Sequence, residues 1–255
     1  MRRALAALVA VVGMATAHAA CQRPVYLTFD TGHMGVAPLV AQVLQEEGVS
    51  ATFFLADEPT QDGGSSLDER WAPWWRRLAS QGHDFGSHTW AHDIWVADLP
   101  DGRMRFKTQA GRQVPRFRTL DAAEYCTELK RSAERFEAMT GRRMGRVFRA
   151  PGGKTSPRLL AVAQACGYTH VGWTPAGFLG DELPSESDPN TMLLDQALRR
   201  VREGDVLLAH LGIWSRRDPW APSVLKPLVQ GLKARGLCFA PLREHPRFGP
   251  ALTAP

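Results

Sequence analysis

Short apolar runs alternate along the chain with longer stretches whose apolar positions recur at intervals of three and four. The short runs are VYLTF (Val25–Phe29), ATFFL (Ala51–Leu55), HDFGSH (His83–His88), RVFR (Arg146–Arg149), YTHVGW (Tyr168–Trp173), DVLLAH (Asp205–His210) and LCFAPL (Leu237–Leu242). They read as seven strands. The stretches Val36–Glu47, Leu67–Ser80, Asp121–Met139, Ser156–Cys166, Thr191–Arg202 and Pro222–Arg235 read as helices. Pro157 falls in the first turn of its helix, where a missing N–H is tolerated. Strands alternating with helices predict a mainly parallel sheet covered by helices. Seven such strands in one domain point to an α/β fold, a barrel or an incomplete one, rather than an open sheet. In such barrels the chemistry sits at the C-terminal ends of the strands.

Three segments break the rhythm. Trp95–Leu120 is polar and basic, with Gly and Pro punctuation. It reads as an insertion on the active face with a short hairpin around Ala110-Gly111; an uninvolved surface loop fits as well. The Pro-rich tail after Leu242 is expected to be loose. At the N-terminus, Arg2-Arg3 precedes an apolar run, Ala4–Met14, and then Ala17-His18-Ala19. That is the layout of a secretory signal peptide over residues 1–19, which leaves a single domain at 20–255. A membrane anchor is the alternative, but the run is short for a bilayer span. The expected location is secreted or periplasmic.

An oxidising compartment bears on the cysteines. Cys21, Cys126, Cys166 and Cys238 contain no CxxC pair, which argues against a zinc–thiolate cluster. Cys21 precedes the first strand and Cys238 lies in the last, and these strands would be neighbours in a closed barrel. Cys126 and Cys166 lie on successive helices. The expected disulfides are therefore Cys21–Cys238 and Cys126–Cys166, the alternative being buried free thiols. With 255 residues, 44% apolar and 22% charged, the chain can bury one sizeable core. Its net charge of +5 is spread without long like-charge runs. That argues against nucleic acid as a partner and is compatible with an anionic cell-wall polymer.

Ionisable residues gather at strand C-termini. Asp30 ends the first strand, His88 the third, Arg149 the fourth and His210 the sixth, with His92 four residues past His88. A lone histidine is more often structural; five such groups at one end shift the balance. On a helical turn, the spacing of His88 and His92 would turn both imidazoles to one side, where they can chelate a divalent cation. Arg149, in FRAPGG, can orient Asp30 and keep it ionised. His210, in LLAHLG, suits a general acid near neutral pH. Trp90, Trp95, Trp173 and Trp214 lie near these blocks, as groove aromatics for sugar rings or as packing.

These blocks, in this order, resemble the polysaccharide deacetylase family, the NodB-homology carbohydrate esterases. The family's TFDDGP reads TFDTGH at Thr28–His33, its H-[ST]-x-x-H is His88–His92, its R-x-P-x-G is Arg149–Gly153, and its L-x-H is Leu208–His210. The resemblance runs from about Tyr26 to Leu242. It implies an α/β fold, a deformed (β/α) barrel of about seven parallel strands, and a secreted hydrolase that removes N-acetyl groups from N-acetylhexosamine units of peptidoglycan, a chitin-like polymer or an exopolysaccharide. It also implies a divalent metal, zinc by expectation. Asp30 would be the general base, Arg149 its orienting cation, His210 the general acid, and His88 and His92 metal ligands. Two positions depart from the pattern. The family's second, metal-binding Asp is Thr31 here, a poor zinc ligand, and some members acting on peptidoglycan carry Asn there. The usual Asp-Trp pair after the fifth strand is replaced by GWTPAGFLGD, in which Asp181 is the candidate to tune His210. A carbohydrate-binding pseudoenzyme and an O-acetyl esterase remain the alternative readings.

Overall fold

The computed structural model describes residues 21–109 and 116–253. The segment expected to be a signal peptide and the hairpin expected around Ala110-Gly111 fall outside the described residues. The first half of the chain runs β1 (Pro24–Asp30), α1 (Ala37–Glu47), β2 (Thr52–Leu55), α2 (Ala72–Ser80), β3 (Asp84–Ser87), β4 (Asp93–Asp98), β5 (Met104–Thr108) and β6 (Arg116–Leu120). It continues with α3 (Ala122–Thr140), β7 (Val147–Phe148), α4 (Pro157–Ala165), β8 (Thr169–His170), α5 (Asn190–Arg200), β9 (Val206–His210), α6 (Leu225–Ala234), β10 (Cys238–Phe239) and α7 (Gly249–Thr253).

The seven expected strands are β1, β2, β3, β7, β8, β9 and β10, and all pair in parallel in the order β10-β1-β2-β3-β7-β8, with β9 also on β1. The wall is curled and deformed. Among the described residues, the segment after β8 meets β9 through an isolated parallel bridge, Phe178 to Leu208, and single hydrogen bonds such as Thr174 N–H to Val206 O, without a continuous ladder. The period-2 alternation of β2 explains the layering. Phe53 faces the helices, in a row with Phe29 and Phe85 (ring centroids 5.5 and 5.8 Å away). Phe54 faces inward, clustering with Tyr26, Val147, Val171 and Val206.

Two expectations are corrected. Trp95–Leu120 is not irregular: β4, β5 and β6 form a three-stranded antiparallel sheet. Within it Met104, Phe106 and Thr108 are buried, while the alternate positions Arg105 and Lys107 face outward and mask the strand signal. The tail is not loose. Leu242 and Phe248 are buried with the inward-facing strand residues, Arg146 N–H donates to Ala251 O at 2.8 Å, and Arg243 N–H donates to Asp84 Oδ2 at 2.9 Å. Its proline-rich sequence closes the end of the barrel opposite the site. Both expected disulfides are present, Cys21–Cys238 and Cys126–Cys166.

Candidate active site

Parallel register sets the rim. Asp30 stands opposite His210 on one side and Phe54 on the other, and Ser87 is opposite both Leu55 and Phe148. The strand ends therefore finish level. The side chains there line one cavity of about 430 Å³, including Asp30, Glu58, His88, His92, Trp173 and His210.

Arg149 lies under the floor of this cavity and is fully buried. Its guanidinium donates from Nη1 to Asp30 Oδ1 (2.8 Å), from Nη2 to Thr28 Oγ1 (2.8 Å) and from Nε to Val171 O (3.1 Å). Phe54 packs on its face at 4.3 Å. Burial alone would raise the Asp30 carboxyl. The charges of Arg149, His88 and His210 outweigh it and hold the carboxyl below its ordinary value.

The two candidate ligands do not lie on a helical turn, as their spacing suggested. Residues 88–92 form a loop in which Thr89 (φ 58°) and His92 (φ 50°) take left-handed conformations. The loop is held from outside: Trp90 N–H donates to Glu128 O and Ala91 N–H to Glu128 Oε2, each at 3.0 Å, and Asp93 N–H donates to Thr89 Oγ1 at 3.0 Å. It still brings the rings together, with centroids 4.9 Å apart. His88 Nδ1 is 2.9 Å from Arg149 O and, as the N–H tautomer, donates to it. That leaves the Nε2 lone pair, 3.5 Å from Asp30 Oδ2. Burial keeps His88 neutral down to about 4.

His210 and Asp181 meet as the sequence allowed. Asp181 Oδ2 accepts the His210 backbone N–H at 2.6 Å, and its Oδ1 is 3.1 Å from Nδ1. Burial would lower the imidazole. Asp181, then Asp30 and Glu182, override it and raise His210 to about 9. The glycine pair after Pro151 is also explained: Gly153 has φ +65°, and a Cβ there would lie 2.5 Å from Trp173. Of the four tryptophans, Trp173 and Trp214 line the cavity, whereas Trp90 and Trp95 pack against the core.

Two acids at the rim were not foreseen. Glu182 Oε2 stands 3.6 Å from His210 Nε2. Glu58 reaches in from the loop after β2. Its Oε2 accepts from the Thr31 hydroxyl in a short hydrogen bond and from Gly32 N–H at 2.7 Å. Gly32 has φ +82°, and a Cβ there would collide with Gly212 O at 2.2 Å, so only glycine presents that amide. The strand-end rule that singles out Asp30, His88, Arg149 and His210 points to Asp57-Glu58 when it is applied to ATFFL.

The residues present fit a divalent cation by their chemistry. His88 offers a free Nε2. His92 Nε2 lies 3.8 Å from Glu58 Oε1, while its Nδ1 is buried without a hydrogen-bond partner among the described residues. Among the described residues, no three such side chains are already gathered tightly enough to hold an ion without movement.

Comparison with known proteins bears on family and fold. A model of the polysaccharide deacetylase family matches residues 17–171. A chitooligosaccharide deacetylase of Azorhizobium caulinodans is 28% identical over 242 residues, covering 91% of this chain and 99% of that protein. Among solved structures, a family 4 acetyl xylan esterase from Clostridium thermocellum, in complex with a cobalt ion, is 22% identical with a TM-score of 0.67, covering 89% of this chain and 91% of that one. A CE4 family pseudoenzyme from Bacillus anthracis is 17% identical with a TM-score of 0.62, covering 88% of this chain and 65% of that one.

Proposed function

This chain belongs to the polysaccharide deacetylase family, and on that premise we propose that it is a metal-dependent hydrolase that removes N-acetyl groups from N-acetylhexosamine units, with peptidoglycan as the first substrate to test. The observation that carries the reading is the convergence of Asp30 on Arg149, and of His210 on Asp181, at one cavity that also holds His88 and His92. Export to an oxidising compartment belongs to the same reading, supported by the two disulfides.

Each residue has a role that its surroundings support. Arg149 fixes Asp30 through Oδ1, so Oδ2 is the atom that takes a proton from the attacking water. His88 and His92 would hold the cation. When bound, that cation supplies Lewis acidity toward the acetyl carbonyl and toward water. His210, protonated at neutral pH, directs Nε2–H at the departing amine, which is too basic to leave as an anion. Asp181 keeps that proton in place through Nδ1. Trp173 and Trp214 offer apolar faces to sugar rings.

The test is acetate release from N-acetylated peptidoglycan and chitooligosaccharides, beside O-acetylated xylan, with His210→Ala as control. Release from the amide substrates, falling by about 10²–10⁴-fold in the variant, supports the proposal. Release confined to the ester would make the protein an O-acetyl esterase, and no release from any substrate would make it a glycan-binding relic.

The rate should also fall at alkaline pH as His210 loses its proton. Its folded-state value is raised, so the acid form persists below about 9 and is lost as pH rises through it. In Asp181→Asn the principal raising charge is gone while burial still lowers the imidazole. The alkaline limb of kcat against pH should then move down by roughly one to two units. An unmoved limb would assign it to another group.

A further inference from the structure

We infer that Glu58 is the carboxylate ligand of the metal site, standing in for the acid that position 31 lacks, and that Thr31 is the hydrogen-bond donor that aims it. The inference rests on the reading above that the cavity takes a divalent cation.

Three observations carry it. First, Glu58 is an acid without a fixed cation. Its side chain is only 15% exposed, and among the described residues neither Lys nor Arg forms an ion pair with it; its ion-pair partner there is His92. A carboxylate so far out of water calls for a positive partner. Asp30, the other acid on this side of the cavity, already has Arg149 at 2.8 Å. Second, the carboxylate is held on one oxygen and free on the other. Thr31 and Gly32 both donate to Oε2, and Oε1 faces His92 Nε2 at 3.8 Å. The hydroxyl of Thr31 is thus an orienting group behind a ligand, the outer-shell arrangement that metal-binding carboxylates share. Third, for the Glu58–His92 pair the movement needed is small. Two ligands of a tetrahedral zinc stand about 3.3 Å apart, given metal–ligand distances of about 2.0–2.1 Å. Oε1 and His92 Nε2 would close by only a few tenths of an ångström around a shared ion.

The loop is built to hold Glu58 there. Its backbone N–H donates to Ser66 Oγ at 3.0 Å, Ser66 N–H donates back to Glu58 O at 2.9 Å, and Asp57 N–H donates to Trp90 O in the histidine loop at 2.8 Å. Two imidazole nitrogens and one carboxylate oxygen, with remaining positions open to water and substrate, form a donor set suited to zinc.

The experiment is calorimetric titration of Zn²⁺ alone into the metal-stripped protein, without substrate. The unmodified protein is expected to bind one equivalent. Glu58→Gln, which keeps the shape and removes the charge, is expected to weaken binding by at least about tenfold. Adding Thr31→Asp to Glu58→Gln is expected to recover most of that loss, because it returns an acid to the same corner of the site. Thr31→Val leaves the carboxylate but takes away its side-chain donor, leaving Gly32 N–H, and a loss of about three- to tenfold is expected. This variant decides the matter if circular dichroism shows Glu58→Gln to be misfolded. Zinc affinity in Glu58→Gln within threefold of the unmodified protein, while His88→Ala/His92→Ala abolishes binding, would overturn the inference. Absence of zinc binding by the unmodified protein would overturn it too. Zinc binding with the expected variant losses but no acetate release would support the inference and refute the deacetylase reading instead.

Discussion

Asp30→Asn is expected to lower kcat by about 10²–10⁴-fold, the range that a positioned general base contributes. Asp30 is 3% exposed and is tied through Oδ1 to Arg149, with Oδ2 on the His88 side of the cavity. The charges around it hold the carboxyl below its ordinary value, so it is ionised at neutral pH. Asparagine keeps the shape and can still accept from Arg149 Nη1, but it has no basic oxygen. The rate should therefore suffer far more than the fold. Acetate-release kinetics and a thermal melt on the same preparation separate the two. A loss below tenfold would place the base elsewhere, on Glu58 or Glu182.

Arg149→Met is expected to destabilise the protein by about 3–5 kcal/mol, the usual result of stripping one partner from a buried ion pair. For a chain of this size that corresponds to a fall of roughly 10 °C in Tm. Methionine fills much of the volume beside Phe54, so the loss is chiefly electrostatic. Asp30 would keep its burial without its cation, and Thr28 Oγ1 and Val171 O would lose their donors. The sign of the pH effect follows. Burial, now unopposed by Arg149, pushes the Asp30 carboxyl up, so activity in the variant should fall away at a higher pH than in the unmodified protein. Arg149→Lys should recover part of the stability, since it restores charge but not the fork that serves several acceptors at once. Denaturant unfolding of the two variants checks the order; equal stability of Arg149→Met and the unmodified protein would contradict it.

Much of this was legible in the residues. Strand-length apolar runs broken by amphipathic stretches identify the parallel wall, because period and length are local properties. The order of Asp30, His88, Arg149 and His210 at strand ends identifies the rim, because parallel strands finish at one face. The disulfide Cys21–Cys238 was legible because Cys21 precedes, and Cys238 lies in, strands that the closed topology makes neighbours, and Cys126–Cys166 because the two lie at successive helices.

What was not legible depended on contacts between distant segments. HxxxH suggested a helical turn, but the Glu128 contacts from α3 hold residues 88–92 in a loop with two left-handed residues. The charged alternate positions of β5 and β6 looked like surface loop until antiparallel pairing gave them a buried face. The tail looked loose because its value lies in plugging a barrel end that exists only in three dimensions.

The contrast is sharpest at Thr31. By itself the sequence determined that position 31 is not the acid of the family's pattern, that a carboxylate and a histidine stood at the strand ends, and which cysteines could pair. Only the tertiary structure decided what fills the gap. Thr31 and Glu58 are 27 residues apart, and they meet because β1 and β2 lie side by side in parallel register, which places the loop after β2 over the end of β1. Local pattern carries the identity of elements. It carries no information about which loop side chain crosses to a neighbouring strand, because that depends on register, turn conformation and burial together.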